Sequence, residues 1–132
     1  MSTQVVARPT SAMLRRPWFA ADAVVTGANA ATYLLAAGLL VDLMAGDAAT
    51  YRWLGGFLAL YAGLVAAYAW GPVRAGAGWA VVIANEAWVA ASLVVAYVGA
   101  FGLNDVGRGW VVVQAVVVGA LALLQARSLR GR

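Results

Sequence analysis

Four long apolar stretches constrain this chain more than any other feature of its sequence. They run from about Trp18 to Met44, from Trp53 to Trp70, from Gly78 to Phe101 and from Trp110 to Ala126. Each is close to the length of roughly 20 residues that an α-helix needs to cross the hydrocarbon core of a bilayer. Of the 132 residues, 64% are hydrophobic and only 11% are charged, too few charges to cover a soluble domain of this size. We therefore expect an integral membrane protein.

The connections between the four spans are short and polar. They read AGDAATYR, GPVRAGA and GLNDVGRG, with turn-forming residues and at least one charge in each. Connections this short force neighbouring helices to pack antiparallel. The sequence thus predicts an all-α fold, a four-helix transmembrane bundle of up-down-up-down topology over residues 17–127. Tails of residues 1–16 and 128–132 flank it, and the long first span is expected to tilt or to begin in the interface.

Tryptophans and arginines predict how the bundle sits in the membrane. Five of the six tryptophans lie at span ends, where the indole prefers the headgroup region, and only Trp88 lies inside a span. Seven arginines precede the first span, follow the fourth or lie in the middle connection, whereas the opposite side holds only Arg52 and Arg108. The positive-inside rule then predicts a multi-pass protein of the bacterial inner membrane with both termini cytoplasmic. Because the basic charge faces anionic lipid headgroups, we expect no nucleic-acid partner.

The amino acids that the chain lacks exclude several kinds of chemistry. It has no histidine and no cysteine, and all nine basic residues are arginine. Disulfides, thiolate catalysis, histidine-ligated zinc or haem and iron–sulfur clusters are thereby excluded, and no nucleotide-binding motif occurs. We expect no metal and no cofactor. The absence of lysine beside abundant alanine, valine, glycine and arginine is typical of a GC-rich genome.

One helical face of the first span carries polar residues. Asp22, Thr26, Asn29 and Tyr33 are spaced i, i+4, i+7 and i+11, which places them on a single face. Ionisable residues inside a span are costly and usually face the bundle interior. This face is therefore predicted to contact other helices or water rather than lipid. Asp42, near the outer end of the span, is expected to reach the interface.

The third span carries the second ionisable residue predicted to lie deep in the membrane, Glu86. Asn85 and Ser92 share one face of that span, and Glu86 lies on the adjacent face, at the depth of Thr26. The sequence predicts that Glu86 and Asn85 meet the polar face of span one in the cytoplasmic half. Tyr61, Tyr68 and Gln125 could join this cluster, while Gln114 lies toward the outer end and Trp88 is interpreted as packing.

The predicted cluster has no cation in the core, so its carboxyl groups are expected to favour the neutral form. Three functions follow from it. The first is a transporter or binding protein for a small hydrophobic or cationic solute, proton-coupled through Glu86, with a ligand site formed by Thr26, Asn29, Tyr33, Asn85 and Glu86. The second is a membrane-embedded enzyme, an isomerase or cyclase of a terpenoid-like or quinone-like substrate, with Glu86 and Asp22 as catalytic acid and base. The third is an accessory or scaffold subunit whose polar residues fix helix packing.

Small residues and an internal similarity indicate helix contacts. Small residues recur at every fourth position, which favours close helix contact within the bundle, with a second copy or with a membrane partner. The stripes are Gly55, Ala59, Gly63 and Ala67; Ala23, Gly27 and Ala31; and Ala115 and Gly119. A shift of 56 residues superimposes Asn29 on Asn85, Arg52 on Arg108 and Gly63 on Gly119. A 2+2 parallel hairpin repeat would explain these matches.

The run DAVVTGANAATYLLAAGLLVDLM, followed by three further short spans, resembles a type of small four-span integral membrane protein common in GC-rich bacteria. The resemblance implies the span layout and adds no site residues. Size and span number are also similar to those of small multidrug-resistance transporters and fluoride channels. The working glutamate of those transporters lies in the first span, whereas Glu86 is in the third, and the seven-to-two arginine split favours one fixed orientation. Neither family is supported.

Overall fold

The computed structural model of the chain describes residues 16–74 and 76–131, and nearly all of them are helical. The helices are α1 (Pro17–Leu35), α2 (Ala37–Met44), α3 (Ala48–Trp70), α4 (Gly76–Val98) and α5 (Asp105–Arg130), with a 3-10 turn at Ala100–Gly102. α3, α4 and α5 are each long and apolar enough to cross a membrane, and α1 with α2 makes a fourth span if the bent pair counts as one. The predicted all-α membrane bundle is confirmed.

The two ends of the bundle are distinct. The tail end holds Arg16, the connection from α3 to α4 and the last turn of α5, since the Arg16 guanidinium donates to the carbonyl oxygens of Gly71 and Val73. The loop end holds α2 and the two remaining connections. These two connections meet in an isolated antiparallel bridge between Ala45 and Leu103, and the Asn104 amide donates to the Met44 carbonyl oxygen at 2.9 Å.

The first span is not the single tilted helix that we expected. It bends by 89° between α1 and α2, at Ala36. Beyond the bend, the inward side of α2 contacts the bundle: Met44 is buried and packs against Gly107, where an added Cβ would lie 3.0 Å from Met44. The opposite side of α2 exposes Leu39, Leu43 and Asp42, so this short helix is amphipathic.

Two helices begin earlier than the apolar stretches predict. The Asp47 carboxylate accepts from the Thr50 amide at the start of α3, and the Asn104 side chain accepts from the Gly107 amide at the start of α5. Both are N-caps, which start a helix with polar residues outside the apolar run. α5 also continues to Arg130, past the predicted end of span four. Of the predicted N-terminal tail, residues 1–15 lie outside the described residues.

The helices pack as two antiparallel hairpins, α1 against α3 and α4 against α5. α1 and α3 approach closely at Gly55, where an added Cβ would lie 2.8 Å from Leu34 Cγ and 3.0 Å from the Leu34 amide nitrogen. The rest of the predicted small-residue stripe on α3 does not lie in this contact, because Ala59, Gly63 and Ala67 are exposed. The inward face follows a different register, formed by Gly55, Leu58, Ala62, Val65 and Ala69.

The residue pairs of the predicted duplication differ in their surroundings. Asn85 is buried and hydrogen-bonded, whereas Asn29 is half-buried. Arg108 donates to the carbonyl oxygens of Ala96 and Tyr97 at the end of α4, whereas Arg52 is exposed. The 2+2 repeat stays a prediction.

Candidate functional site

A buried polar network joins the four long helices in the tail half of the bundle. Its centre is Asp22 of α1, only 1% exposed, and its other members are Thr26 of α1, Tyr61 of α3, Asn85 of α4 and Gln125 of α5. The Asp22 carboxylate accepts three hydrogen bonds, from Thr26 Oγ1 at 2.9 Å, Asn85 Nδ2 at 2.8 Å and Gln125 Nε2 at 2.8 Å. One carboxyl group thus links α1, α4 and α5.

The remaining donors of the network also have acceptors. Asn85 Nδ2 donates to Gln125 Oε1 at 3.0 Å, Tyr61 Oη donates to Asn85 Oδ1 at 2.9 Å, and Gln125 Nε2 lies 3.5 Å from the Trp18 carbonyl oxygen. Among residues 16–74 and 76–131, no fully buried side-chain nitrogen or oxygen lacks a partner. Since an unpaired buried polar group costs about 1–3 kcal/mol, the network stabilises the helix arrangement.

The tail end holds a cation, Arg16, but its contacts are with residues other than Asp22. The Arg16 guanidinium lies 4.0 Å from the centroid of the Tyr68 ring and donates to backbone oxygens at the end of α3, including that of Tyr68. These carbonyls are the open acceptors of a helix C-terminus. Arg16 therefore closes the tail end of the bundle, and Asp22 is bound by neutral donors only.

Glu86 does not lie in this network. Its side chain is exposed on the outer surface of α4, while its neighbour Asn85 points inward. The physical reason is helix geometry: successive residues differ by about 100° around the axis, so one of the two must turn away when the other faces the core. In a bilayer an exposed ionisable residue at the centre of a helix costs about 2.5–3.5 kcal/mol on insertion scales. Asp22, not Glu86, is the carboxyl group of the bundle interior.

The other predicted ligand residues are divided between two regions. Thr26 lies in the polar network, and Tyr33 is buried at the loop end, seven residues further along α1. The Tyr33 hydroxyl accepts from Trp110 Nε1 at 2.8 Å, and its ring stacks on Tyr51 with centroids 6.0 Å apart. Asn29 lies between the two regions and is half-buried. The predicted five-residue ligand site is therefore not one contiguous cluster.

The loop half of the bundle contains a cavity of about 290 Å³ that is partly open to the outside. It separates the loop-end parts of α3 and α4 and is lined mostly by apolar and aromatic side chains, including Tyr33, Tyr51, Trp88 and Trp110. The polar contribution includes Ser92, whose hydroxyl accepts from Gln114 Nε2 at 2.9 Å. Aromatic walls with a few hydrogen-bonding groups are typical of sites for small molecules, and the volume is near the lower end of their usual range.

A smaller cavity of about 100 Å³ lies between this loop-end cavity and the polar network. Thr26, Asn29, Tyr61 and Asn85 contribute to its wall, and Trp88 lines both cavities. The Trp88 ring stacks on Phe57 with centroids 6.3 Å apart, and its Nε1 donates to Gln114 Oε1 at 2.6 Å. Trp88 thus forms the partition between an aromatic cavity and a smaller, mainly apolar one that borders the polar network.

Sequence reasoning did not find the loop-end cavity or the part that Trp88 plays in it. A signal was present, because Gln114 and Gln125 are 11 residues apart on α5, which places both amides on one face. Both are buried, and each anchors a different polar cluster. Among the described residues, no group of three or more acidic, histidine or cysteine side chains could hold a metal ion.

Comparison with known proteins gives no relative from which to transfer a function: no family model, no curated protein and no solved structure matches this chain.

Proposed function

We propose that this protein binds a small hydrophobic solute, neutral or cationic, in the loop-end cavity. The observation that carries the proposal is the pair of cavities that Trp88 lines, one walled largely by aromatic rings and the other mainly apolar but reached by Thr26, Tyr61 and Asn85 of the polar network. Aromatic faces attract both apolar groups and organic cations. A solute in the loop-end cavity would place its apolar part among the rings and direct a polar group toward Trp88.

Asp22 supports extension of the proposal from neutral to cationic solutes. It is a carboxyl group in the bundle interior whose hydrogen bonds come from neutral donors, with the small cavity on its loop-end side. A carboxylate held in this way attracts positive charge over a distance, because the surrounding dielectric is low. Movement of a solute or a proton across the bundle would have to pass Trp88 and the Asp22 network. This route assigns to Asp22 the role that we predicted for Glu86.

A matched pair of probes tests the binding proposal. Benzyltrimethylammonium and neopentylbenzene have the same shape, but only the first is charged. The protein is prepared with 5-fluorotryptophan in lipid nanodiscs, and its six tryptophan fluorine resonances are assigned by single Trp→Phe substitutions. We expect saturable shifts at Trp88 and Trp110, which line the cavity, and not at Trp53, which is 82% exposed on the outside of α3. A stronger response to the cation would indicate a cationic solute.

Two variants control this experiment. Ala91→Phe fills the loop-end cavity, since Ala91 lies in its wall, whereas Ala87→Phe adds the same ring to an exposed position of α4 outside both cavities. The first change is expected to abolish the shifts and the second to leave them. If neither probe shifts Trp88 or Trp110 in the unmodified protein, or if Ala91→Phe leaves the shifts intact, the proposal is wrong.

A second candidate function is that of an accessory subunit, favoured by the complete hydrogen bonding of the polar network. In that case Asp22 only holds the four long helices in register. The same fluorine experiment separates the candidates, because an accessory subunit has no need of a solute. The acid–base enzyme has less support, since Glu86 and Asp22 are not brought together.

We also infer that the tail end faces the cytoplasm of a bacterial cell. Arg16, Arg74, Arg127 and Arg130 lie at this end, and basic residues are retained on the cytoplasmic side. Because the chain has no cysteine, a single cysteine placed at Asp47 in the loop end can be probed with a membrane-impermeant maleimide in intact cells. Labelling at Asp47→Cys and protection at Arg74→Cys are expected, and the reverse pattern would invert the orientation.

A further inference from the structure

Glu86 is the unusual residue on the outer surface of this bundle. It is the eleventh of the 23 residues of α4, so it lies at the middle of a span. Its side chain is exposed, and no hydrogen bond or ion pair connects it to any other residue in the described ranges. Its exposed neighbours on α4 are apolar, among them Ile83 and Val94. An ionisable residue in such surroundings indicates that lipid does not cover this face.

The exposed residues around Glu86 have the spacing of a helix-pairing surface. They alternate at intervals of four and three residues, which is the heptad spacing of two helices packed side by side. All six are exposed, and they form what we call the outer seam: Trp79, Ile83, Glu86, Ala90, Leu93 and Tyr97. Ala90 lies one turn from Glu86, and a small side chain there allows a second helix to approach closely.

We propose that the outer seam binds the outer seam of a second copy of this chain, with a two-fold axis along the membrane normal. Such an axis places the two Glu86 side chains at the same depth, because each surface patch then contacts its own copy. A carboxylic acid has one donor and at least one acceptor, so two of them satisfy each other without a third group. The described part of α4 offers no cation on this face, and a copy inserted in the same direction supplies the required carboxyl group.

This proposal does not depend on solute binding. The loop-end cavity lies on the side of α4 that carries Trp88, Ser92 and Val95, away from the outer seam. The alternative contact surface is the exposed part of the small-residue stripe on α3, at Ala59, Gly63 and Ala67, which has no unpaired polar group. The two surfaces are on different helices and can be distinguished directly.

Disulfide cross-linking in native membranes tests which surface pairs. The chain has no cysteine, so any disulfide between two copies must form through the single cysteine that is introduced. Ala90→Cys lies in the outer seam, and Ala59→Cys is the matched control on α3, the same substitution at another exposed position. Under mild oxidation we expect a covalent dimer from Ala90→Cys and none from Ala59→Cys. A dimer from Ala59→Cys alone, or from neither variant, would overturn the proposal.

Substitutions of Glu86 test the carboxyl pair. Glutamine also has a donor and an acceptor, so Glu86→Gln should still associate, whereas Glu86→Leu should weaken association by roughly tenfold. Energy transfer between labelled copies, measured over a dilution series in liposomes, gives the association constant.

Equal association of the wild-type protein and Glu86→Leu contradicts the carboxyl pair. A wild-type protein that is monomeric at every dilution contradicts the second copy and points instead to a different partner protein carrying a basic side chain. The Trp88 and Trp110 resonances in Glu86→Leu should match those of the wild type, which separates this test from that of solute binding.

Discussion

The two halves of the bundle are built from the same four long helices but have opposite interiors. In the tail half, Asp22 collects hydrogen bonds from two other helices and is 1% exposed. In the loop half, the space between α3 and α4 is a cavity of about 290 Å³ with aromatic walls. The comparison shows that a bundle can hold its central carboxyl group in a fully hydrogen-bonded network while the larger of these two interior cavities lies beside aromatic rings.

The difference arises from how closely α3 and α4 approach each other. At the tail end they are joined by a short connection, and Gly78 of α4 lies so close to Tyr68 of α3 that an added Cβ would be 2.5 Å from the Tyr68 hydroxyl oxygen. At the loop end α3 packs against α1 and α2, whereas α4 packs against α5 and is fixed by Arg108. The two helices within each hairpin stay in contact, and the loop-end cavity lies between the two hairpins.

Of the changes that test this difference between the two halves, removal of the Asp22 carboxyl group should lower the free energy of unfolding most. Asp22→Leu removes the acceptor that Thr26, Asn85 and Gln125 share, so we expect the free energy of unfolding to fall by about 3 kcal/mol. Asp22→Asn keeps one acceptor oxygen and should cost about 1 kcal/mol. Unfolding in mixed micelles, followed by circular dichroism, measures both. Wild-type stability of Asp22→Leu would show that the network can be replaced by apolar packing, as happens for some buried ion pairs.

The difference in packing is tested by adding the same side-chain volume to each half. Ala69→Leu places a larger side chain in the tail-half core, where Ala69 is 3% exposed, and should cost about 1–3 kcal/mol. Ala91→Leu points into the loop-end cavity, so we expect a change within about 0.5 kcal/mol. The same unfolding measurement applies. Equal costs for the two variants would mean that the cavity is not open space in the membrane.

The smallest expected change in the free energy of unfolding comes from substitution of Trp88, which separates the two cavities. Trp88→Phe keeps an aromatic ring beside Phe57 but removes the Nε1 donor, leaving Gln114 Oε1 without that partner, and should cost about 1 kcal/mol. Trp53→Phe is the matched control and should be neutral, since Trp53 is 82% exposed. If the two variants are equally stable, Trp88 holds its position by stacking alone.

The spans could be predicted from sequence because lipid demands long uninterrupted apolar runs, and α3, α4 and α5 each contain one. The helix starts at Asp47 and Asn104 could not, since capping residues are polar and resemble loop residues. The bend at Ala36 has no proline to mark it, and Gly38, two residues later, is one of 15 glycines in the chain.

The placement of polar residues was partly predictable for a similar reason. The spacing of Asp22 and Thr26 on α1 correctly indicated an inward face, and both are buried. For Asn85 and Glu86 the sequence offers two adjacent polar residues, and only the packing of α4 on α5 decides which one faces the core. Cavity volume was beyond prediction, because it depends on how far the two hairpins separate.

The bend at Ala36 makes the four long helices unequal in length. The 19 residues of α1 extend about 28 Å, whereas the 23 residues of α4 extend about 34 Å. If α1 follows the membrane normal, the 89° bend places α2 nearly flat against the membrane. We then expect the bilayer beside α1 to be thinner than the bilayer beside α4. A bundle of this shape deforms the membrane more on one flank than on the other, so its energy depends on the lipid chain length around it.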